Sequence, residues 1–228
     1  MIKGEKLRML ALSSGGKDSI LALHLAHERG WKLDGIVTII PEDPESMLYH
    51  TYNLNFVGKI AESIGTQWFY TYAKKGEEEK ALESTLKRID TDIVVSGSVS
   101  SMYQKRHFDD ICNKIGIRHF TPLWGLDAHD IMYKILNLKM DVMIVAVAAY
   151  GLGEEWLGVH LDDESVKRLL RLSEKYHFNP VGEGGDLDTF VLDAPLYKKR
   201  LVVSKAVKNW YLDHGNLKIE ELLLIEKD

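Results

Sequence analysis

One short stretch constrains the fold of this chain more than any other. The apolar run Met9–Leu12 leads into SSGGKDS (13–19), which leads directly into ILALHLAHERG (20–30). A continuous apolar run fits a strand covered on both faces. Leu21, Ala22, Leu25 and Ala26 then share one helical face, and Gly30 is placed to stop the helix, so the pattern predicts a helix over Asp18–Gly30. A strand passing through a glycine turn straight into a helix opens an α/β unit, and the same alternation recurs downstream. Strands are expected at Asp34–Ile40, Gln67–Thr71, Ile93–Val95 and Arg118–Phe120, and helices at about His50–Ile64, Glu77–Ile89 and Met102–Ile115. Repeated β-α units imply right-handed crossovers and a mostly parallel twisted sheet with flanking helices.

After Pro122-Leu123-Trp124-Gly125 the rhythm changes. A helix over Asp127–Leu138, a buried strand over Asp141–Ala149 and a helix near Glu164–His177 precede β-branched segments at Thr189–Leu192, Arg200–Val203 and Lys218–Ile225. The fold class expected is therefore α/β with a smaller α+β C-terminal domain. We place the boundary after Trp124, giving domains over 1–124 and 125–228. The strand at 141–149 could also join the first sheet.

The 228 residues carry 29 basic and 34 acidic side chains, a net charge of -5, which argues against bulk nucleic-acid binding. Cys112 is the single cysteine, so no intrachain disulfide can form and a reducing compartment is expected. The first residues do not read as a signal peptide, and no apolar run is long enough to span a bilayer, so a cytoplasmic protein without membrane contact is expected.

A glycine turn between strand and helix suits a phosphate. The helix N-terminus offers unpaired N–H groups and a partial positive charge. Gly15 and Gly16 let backbone approach an anion closely, Ser14 and Ser19 add hydroxyls, and Lys17 adds a full charge. Two familiar phosphate loops do not fit. In the Walker pattern Ala11 occupies the first glycine position and Asp18 the Ser/Thr position, and the dinucleotide fingerprint G-x-G-x-x-G is absent here. Asp18 beside phosphates is repulsive unless a cation lies between them. It therefore points to Mg²⁺, which takes hard oxygen ligands, or else Asp18 serves as a helix cap.

SGGKDS at this position resembles the loop of the N-type ATP pyrophosphatases, the PP-loop enzymes. Four further stretches are similar to the diphthine–ammonia ligase branch of that family: SMLYHT (46–51), MYQKRHFDDIC with PLWG (102–125), YGLGEEWLG (150–158) and GEGGDLDTFVLDAPLYKKR (182–200). The resemblance spans residues 7 to 203. It implies an ATP-dependent carbon–nitrogen ligase. The carboxylate of diphthine, a modified histidine of elongation factor 2 that also bears a trimethylammonium group, would attack the α-phosphate of ATP. Pyrophosphate leaves, and ammonium then displaces AMP to give the amide.

The resemblance also distributes site residues. ATP binding falls on Ser13, Ser14, Gly15, Gly16, Lys17, Asp18, Ser19, Thr38, His50 and Gly97. Substrate binding falls on Tyr103, Gln104, Arg106, Trp124, Glu154, Trp156, Glu183, Gly184, Gly185, Asp186 and Thr189. Catalytic roles fall on Lys17, Asp18, Glu183, Asp186 and Asp188, with Asp18 also holding the metal. The implied cofactors are ATP and Mg²⁺. The implied partners are diphthine-bearing elongation factor 2 and ammonium, with a homo-oligomer left open. Where the family usually carries glutamates this chain has Asp186 and Asp188, whose carboxylates reach about 1.5 Å less far.

On chemical grounds, Glu183, Asp186, Asp188 and Asp193 form an acid-rich segment that could bind a metal, ammonium or the trimethylammonium group, with Tyr103, Trp124, Tyr150 and Trp156 as candidate cation–π partners. Lys105 and Arg106 follow the strand end Ser96-Gly97-Ser98 and could face the ligand. Thiolation by the same fold would need reactive cysteines, and Cys112 alone is poorly suited to it. His24 and His27 on the first helix read as packing rather than as a metal site. A non-catalytic ATP-binding regulator is the alternative from another class.

Overall fold

A computed structural model describes residues 6–42 and 52–227. Its first sheet holds five parallel strands: β1 (Arg8–Leu12), β2 (Lys32–Pro41), β3 (Gln67–Ala73), β4 (Ile93–Val95) and β5 (Arg118–Phe120), in the order β3-β2-β1-β4-β5. The chain winds outward one way from β1 and then returns to build the other side from β4. The carboxyl ends of β1 and β4 therefore flank the point where the winding reverses, the place where open α/β sheets bind ligands.

Burial explains the all-apolar strands. Met9 and Ala11 of β1 point into one core and Leu10 and Leu12 into another, as period-2 alternation requires when both faces are covered. Helices α3 (Glu78–Leu86) and α4 (Met102–Ile115) cover the second face through Leu82, Leu86, Phe108 and Ile111. Helices α1 (Lys17–His27) and α2 (Val57–Ile64) cover the first. Ile20, Leu21 and Leu23 of α1 are fully buried, each worth about 1.5–3 kcal/mol of removed apolar surface.

The second sheet is antiparallel, ordered β7-β6-β9-β8, from β6 (Asp141–Val147), β7 (Leu187–Asp193), β8 (Lys199–Trp210) and β9 (Gly215–Glu226). The strand expected at 141–149 belongs to this sheet. Helices α5 (Ala128–Asn137) and α6 (Asp163–Tyr176) pack with it. Strands β8 and β9 are much longer than the β-branched segments predict. Their charged positions meet in a hairpin whose ladder hydrogen bonds do not depend on apolar content: Lys205 sits opposite Glu221 and pairs with Glu220. Phe190 and Val191 of β7 share the core that contains Ile20 and Ile60, so the second sheet lies against the α1 side of the first. Cross-links reinforce that contact. The amide N–H of Leu196 donates to Nε2 of buried His24 at 3.1 Å, and the Asn53 side chain bonds both Leu217 and Ile219. Because Nε2 of His24 must accept, the ring is neutral, and burial lowers its pKa accordingly.

Candidate active site

The glycine turn leaves β1 with most of its hydroxyls committed to its own shape. Ser13 Oγ accepts from Gly15 N–H at 3.0 Å and contacts Ser19 Oγ at 2.7 Å, while Ser19 donates to the Gly16 carbonyl at 2.9 Å. Thr38 donates to the Ser13 carbonyl at 2.9 Å and accepts from the Trp68 indole at 3.0 Å. Ser13, Ser19 and Thr38 therefore first serve to fold the turn. Gly15 has φ +83°, and a Cβ there would lie 2.7 Å from the Phe190 ring, so both conformation and space require glycine.

Helix α1 has no side-chain cap of its own. Its N-cap is Gly16, and the orphan N–H of Lys17 is satisfied from the other sheet by Thr189 Oγ1 at 3.1 Å. Val191 N–H also donates to the Gly15 carbonyl at 2.9 Å, so β7 docks edge-on to the turn. The Lys17 side chain is 2 % exposed; its Nζ donates to Asp18 Oδ2 at 2.8 Å and to the Val181 carbonyl at 2.5 Å. On the other flank, Gly97 at the end of β4 lies flat on the first turn of α1. A Cβ there would sit 2.5 Å from Ser19 N and 2.6 Å from the Asp18 carbonyl carbon.

Between these walls lies a cavity of about 590 Å³. Ser13, Ser14, Gly16, Lys17, Asp18, Ser19, Thr38, Gly97, Tyr103, Gln104, Glu183, Gly184, Gly185, Asp188 and Thr189 from the expected set all line it. It is large enough for a nucleotide and lies at the carboxyl ends of β1 and β4, at the reversal of strand order. Lys17 and Asp18 neutralise each other at its floor, so a triphosphate would bring far more negative charge than the turn carries. Asp18 is suited to hold Mg²⁺, because such an ion needs only one or two carboxylates in addition to phosphate oxygens. Among the described residues no group of three His, Cys, Asp or Glu side chains is arranged as an all-protein metal cage.

The acid-rich segment does not act as one cluster, and the expectation of a four-acid cation site is corrected here. Glu183 reaches helix α4. Its Oε1 accepts from the N–H groups of Val99 (3.0 Å), Ser100 (2.8 Å) and Ser101 (3.2 Å), and the Ser100 hydroxyl donates to Oε2. Burial pushes the Glu183 carboxyl up, but these donors outweigh it and hold it below the usual carboxylate range. Asp186 accepts from the Asn179 N–H at 2.8 Å and closes a loop outside the cavity lining. Asp193, at the far end of β7, pairs with Lys227. Asp188 is the acid of β7 that lines the cavity, close enough to Tyr52 that, after burial, its charge raises the Tyr52 pKa.

The aromatic wall is also different from expectation. Tyr103 lines the cavity, but Trp156 is buried under the Arg168 guanidinium, 4.7 Å from its ring, because its 3₁₀ turn (Glu154–Trp156) packs into the core. Glu154 is exposed on the same turn. Trp124 lies beneath Lys105 Nζ at 5.6 Å, and the exposed Tyr150 meets Tyr176 edge-on. Arg106 borders an adjoining recess with Met102, Tyr103, His107 and Asp110 and does not line the main cavity, because it lies on a different face of α4 from Gln104. His50 and the SMLYHT segment up to Thr51 lie outside the described residues. Sequence reasoning passed over Tyr52, Val181 and Gly182, which also line the cavity; Gly182, with φ +79°, was the one with a visible signal.

Comparison with known proteins follows the two sheets. Residues 7–119 match the model described as diphthamide synthase N-terminal domain, and residues 127–225 match the diphthamide synthase C-terminal domain. The diphthine–ammonia ligase of Schizosaccharomyces pombe is 29% identical over 221 residues, covering 87% of this chain and 36% of that protein. The human diphthine–ammonia ligase is 27% identical over 226 residues, covering 88% of this chain and 84% of the relative. The Saccharomyces cerevisiae protein of the same name is 27% identical over 231 residues, with coverage of 84% and 34%. The chain thus spans about a third of the two yeast proteins and most of the human one.

Proposed function

The chain belongs to the diphthamide synthase family, and on that premise we propose that it amidates the diphthine carboxylate of elongation factor 2 with ammonium at the expense of ATP. The observation that carries this reading is the glycine turn itself, seated at the reversal of strand order and opening onto a cavity that the 181–189 segment also lines. In this reading residues 1–124 hold the nucleotide and 125–228 supply much of the substrate wall.

The chemical need is to turn a carboxylate oxygen into a leaving group. Attack of the carboxylate on the α-phosphate forms an acyl-adenylate and releases pyrophosphate. Ammonia then forms the C–N bond as the bond to AMP breaks. The N–H groups at the start of α1 and the Lys17 ammonium position the phosphate tail. Asp18 holds Mg²⁺, which when bound supplies charge neutralisation at the phosphates. Gly97, lying flat on α1, keeps the end of β4 close to the phosphate turn. Asp188 and the aromatic ring of Tyr103 present charge and π-face to the cationic group of diphthine.

A thiolating role is disfavoured by the one cysteine. Cys112 is buried in α4, and burial with the charge of Asp109 pushes its thiol up to about 12, far from a reactive thiolate. No helix among the described residues is long and apolar enough to cross a membrane.

The direct test is to mix protein, Mg-ATP, ammonium and diphthine-bearing elongation factor 2, and identify products. AMP and pyrophosphate in amounts that depend on the factor are expected, with one amide formed per AMP. ADP, or no factor-dependent turnover, sinks the reading.

A further inference from the structure

A second chain of polar groups leads away from the cavity behind β4. Asp109 on α4 takes Lys105 Nζ at 2.6 Å on one oxygen and His119 Nδ1 at 2.7 Å on the other. His119 Nε2 lies 2.9 Å from Ser96 Oγ, and Ser96 Oγ lies 3.1 Å from Ser98 Oγ. The His119 side chain is 2 % exposed, while Ser96 and Ser98 line the cavity.

Elementary valence fixes the direction of these bonds. Burial pushes the Asp109 carboxyl up, but Lys105 and His119 outweigh it and hold it ionised, so both of its oxygens accept. Nδ1 of His119 therefore carries the ring proton. Burial lowers the His119 pKa against the pull of Asp109, and Lys105 lowers it further, so the ring is neutral at physiological pH and Nε2 is an acceptor. Asp109 and Lys105, both on α4, are the charged groups acting on the ring; β4 offers it the Ser96 hydroxyl. Ser96 has one proton and gives it to Nε2. Its oxygen must then accept from Ser98, whose own lone pairs are what the chain presents to the cavity.

We propose that Ser98, Ser96 and His119 form a proton-accepting relay for the amidation step, with Asp109 stabilising the imidazolium that results. The proposal rests on the amidation reading above and supplies the base which that reading lacks. Converting an acyl-adenylate and ammonium into amide and AMP releases two protons, one before nitrogen can attack and one as the amide forms. One of them enters here. An N–H proton of the nitrogen donor passes to Ser98 Oγ, the Ser98 proton to Ser96 Oγ, and the Ser96 proton to His119 Nε2. Each serine ends with one proton, and the ring gains one positive charge beside the Asp109 carboxylate. His119 acts through the serines and touches no substrate itself.

The test separates the half-reactions in the full chain with Mg-ATP, diphthine-bearing factor and ¹⁵N-ammonium. Pyrophosphate exchange reads adenylation, and ¹⁵N incorporation reads amidation, both across roughly pH 6 to 9 around the imidazole range. In the wild type, amidation is expected to fall on the acid side while exchange does not follow it. His119→Gln can donate to Asp109 and accept from Ser96 but cannot take a proton at neutral pH. It should lower amidation by about 100-fold, a typical general-base contribution, and leave exchange within about twofold. Ser98→Ala, which leaves the Asp109–His119 pair in place, should show the same selective loss. Unchanged amidation in His119→Gln, or a parallel fall of both half-reactions in both variants, overturns the relay. The ¹⁵N shifts of His119 give a reading independent of turnover. The neutral Nδ1–H tautomer is expected, and an Nε2–H tautomer reverses the chain and overturns the proposal. A wild type without factor-dependent AMP formation defeats the amidation reading instead, and those shifts still report the direction of the chain.

Discussion

Two glycine-bearing segments line the cavity, touching one another at Lys17, and they are built in different proportions from local and long-range bonds. The 13–19 turn is closed by its near neighbours: Ser13 with Gly15 and Ser19, and Ser19 with Gly16. The 181–189 segment adds to its local bonds with Asn179 several ties to partners far away in the chain. Glu183 is bound to residues 82–84 positions away, the Val181 carbonyl to Lys17 at a separation of 164, and Thr189 to Lys17 at 172. The first turn is a local device that a short motif can encode. The second exists only when two sheets have come together, and its acids are divided among separate tasks.

That contrast can be broken at several points. The largest effect is expected where the first turn meets β4. Gly97→Val forces a side chain into backbone atoms of Ser19 and Asp18, which cannot swing aside as a flexible side chain would. It should cost at least about 1–3 kcal/mol of stability in urea titration and leave no measurable ATP binding by calorimetry. A variant that binds ATP normally would show that the turn is not held by β4. Next, Lys17→Ala removes a buried charge at the cavity floor. ATP binding should weaken by about 1.5–3 kcal/mol, roughly 10- to 100-fold in Kd.

Glu183→Gln probes the long-range side. Because the folded pKa of Glu183 lies below its unfolded value, its contribution is present above the ordinary carboxylate range near pH 4.3 and is lost as pH falls through the depressed folded value. Urea midpoints of the wild type should therefore drop on acidification more steeply than those of Glu183→Gln, which should be less stable at pH 7 by about 1–3 kcal/mol. Parallel pH curves would mean that the tie to α4 contributes nothing. Thr189→Val deletes the cap that β7 lends to α1 while keeping the shape, and should cost about 1 kcal/mol, with Thr189→Ser restoring it. Smallest of all, Asp193→Asn breaks a surface pair with Lys227 and should change stability by less than about 1 kcal/mol and turnover not at all. A marked loss of turnover would return Asp193 to the site.

The legible parts of the molecule share a physical character. Helix α4 and strands β4 and β5 have the bounds their patterns predict, since glycine stops, a serine cap and short apolar runs are local signals. The hairpin β8–β9 was legible only in part, because its ladder runs well past the apolar residues that announce it. In the site, the turn at 13–19 was visible from glycines and donors. The separate fates of Glu183, Asp186 and Asp193 were not, because a carboxylate's role depends on which N–H or ammonium group the fold brings to it, and those groups lie elsewhere in the chain. The burial of Trp156 was hidden for the same reason.

By itself, the sequence determined the alternation of strand and helix, the position of the phosphate turn and the presence of a carboxylate within it, because each depends on residues within a few positions of one another. Tertiary structure alone decided that β7 caps α1, that Glu183 binds the start of α4 and that Asp109, His119, Ser96 and Ser98 form a line. Hydrogen bonds between groups distant in the chain are selected by the packing of a shared core, and that packing is a property of the whole sequence rather than of any stretch within it.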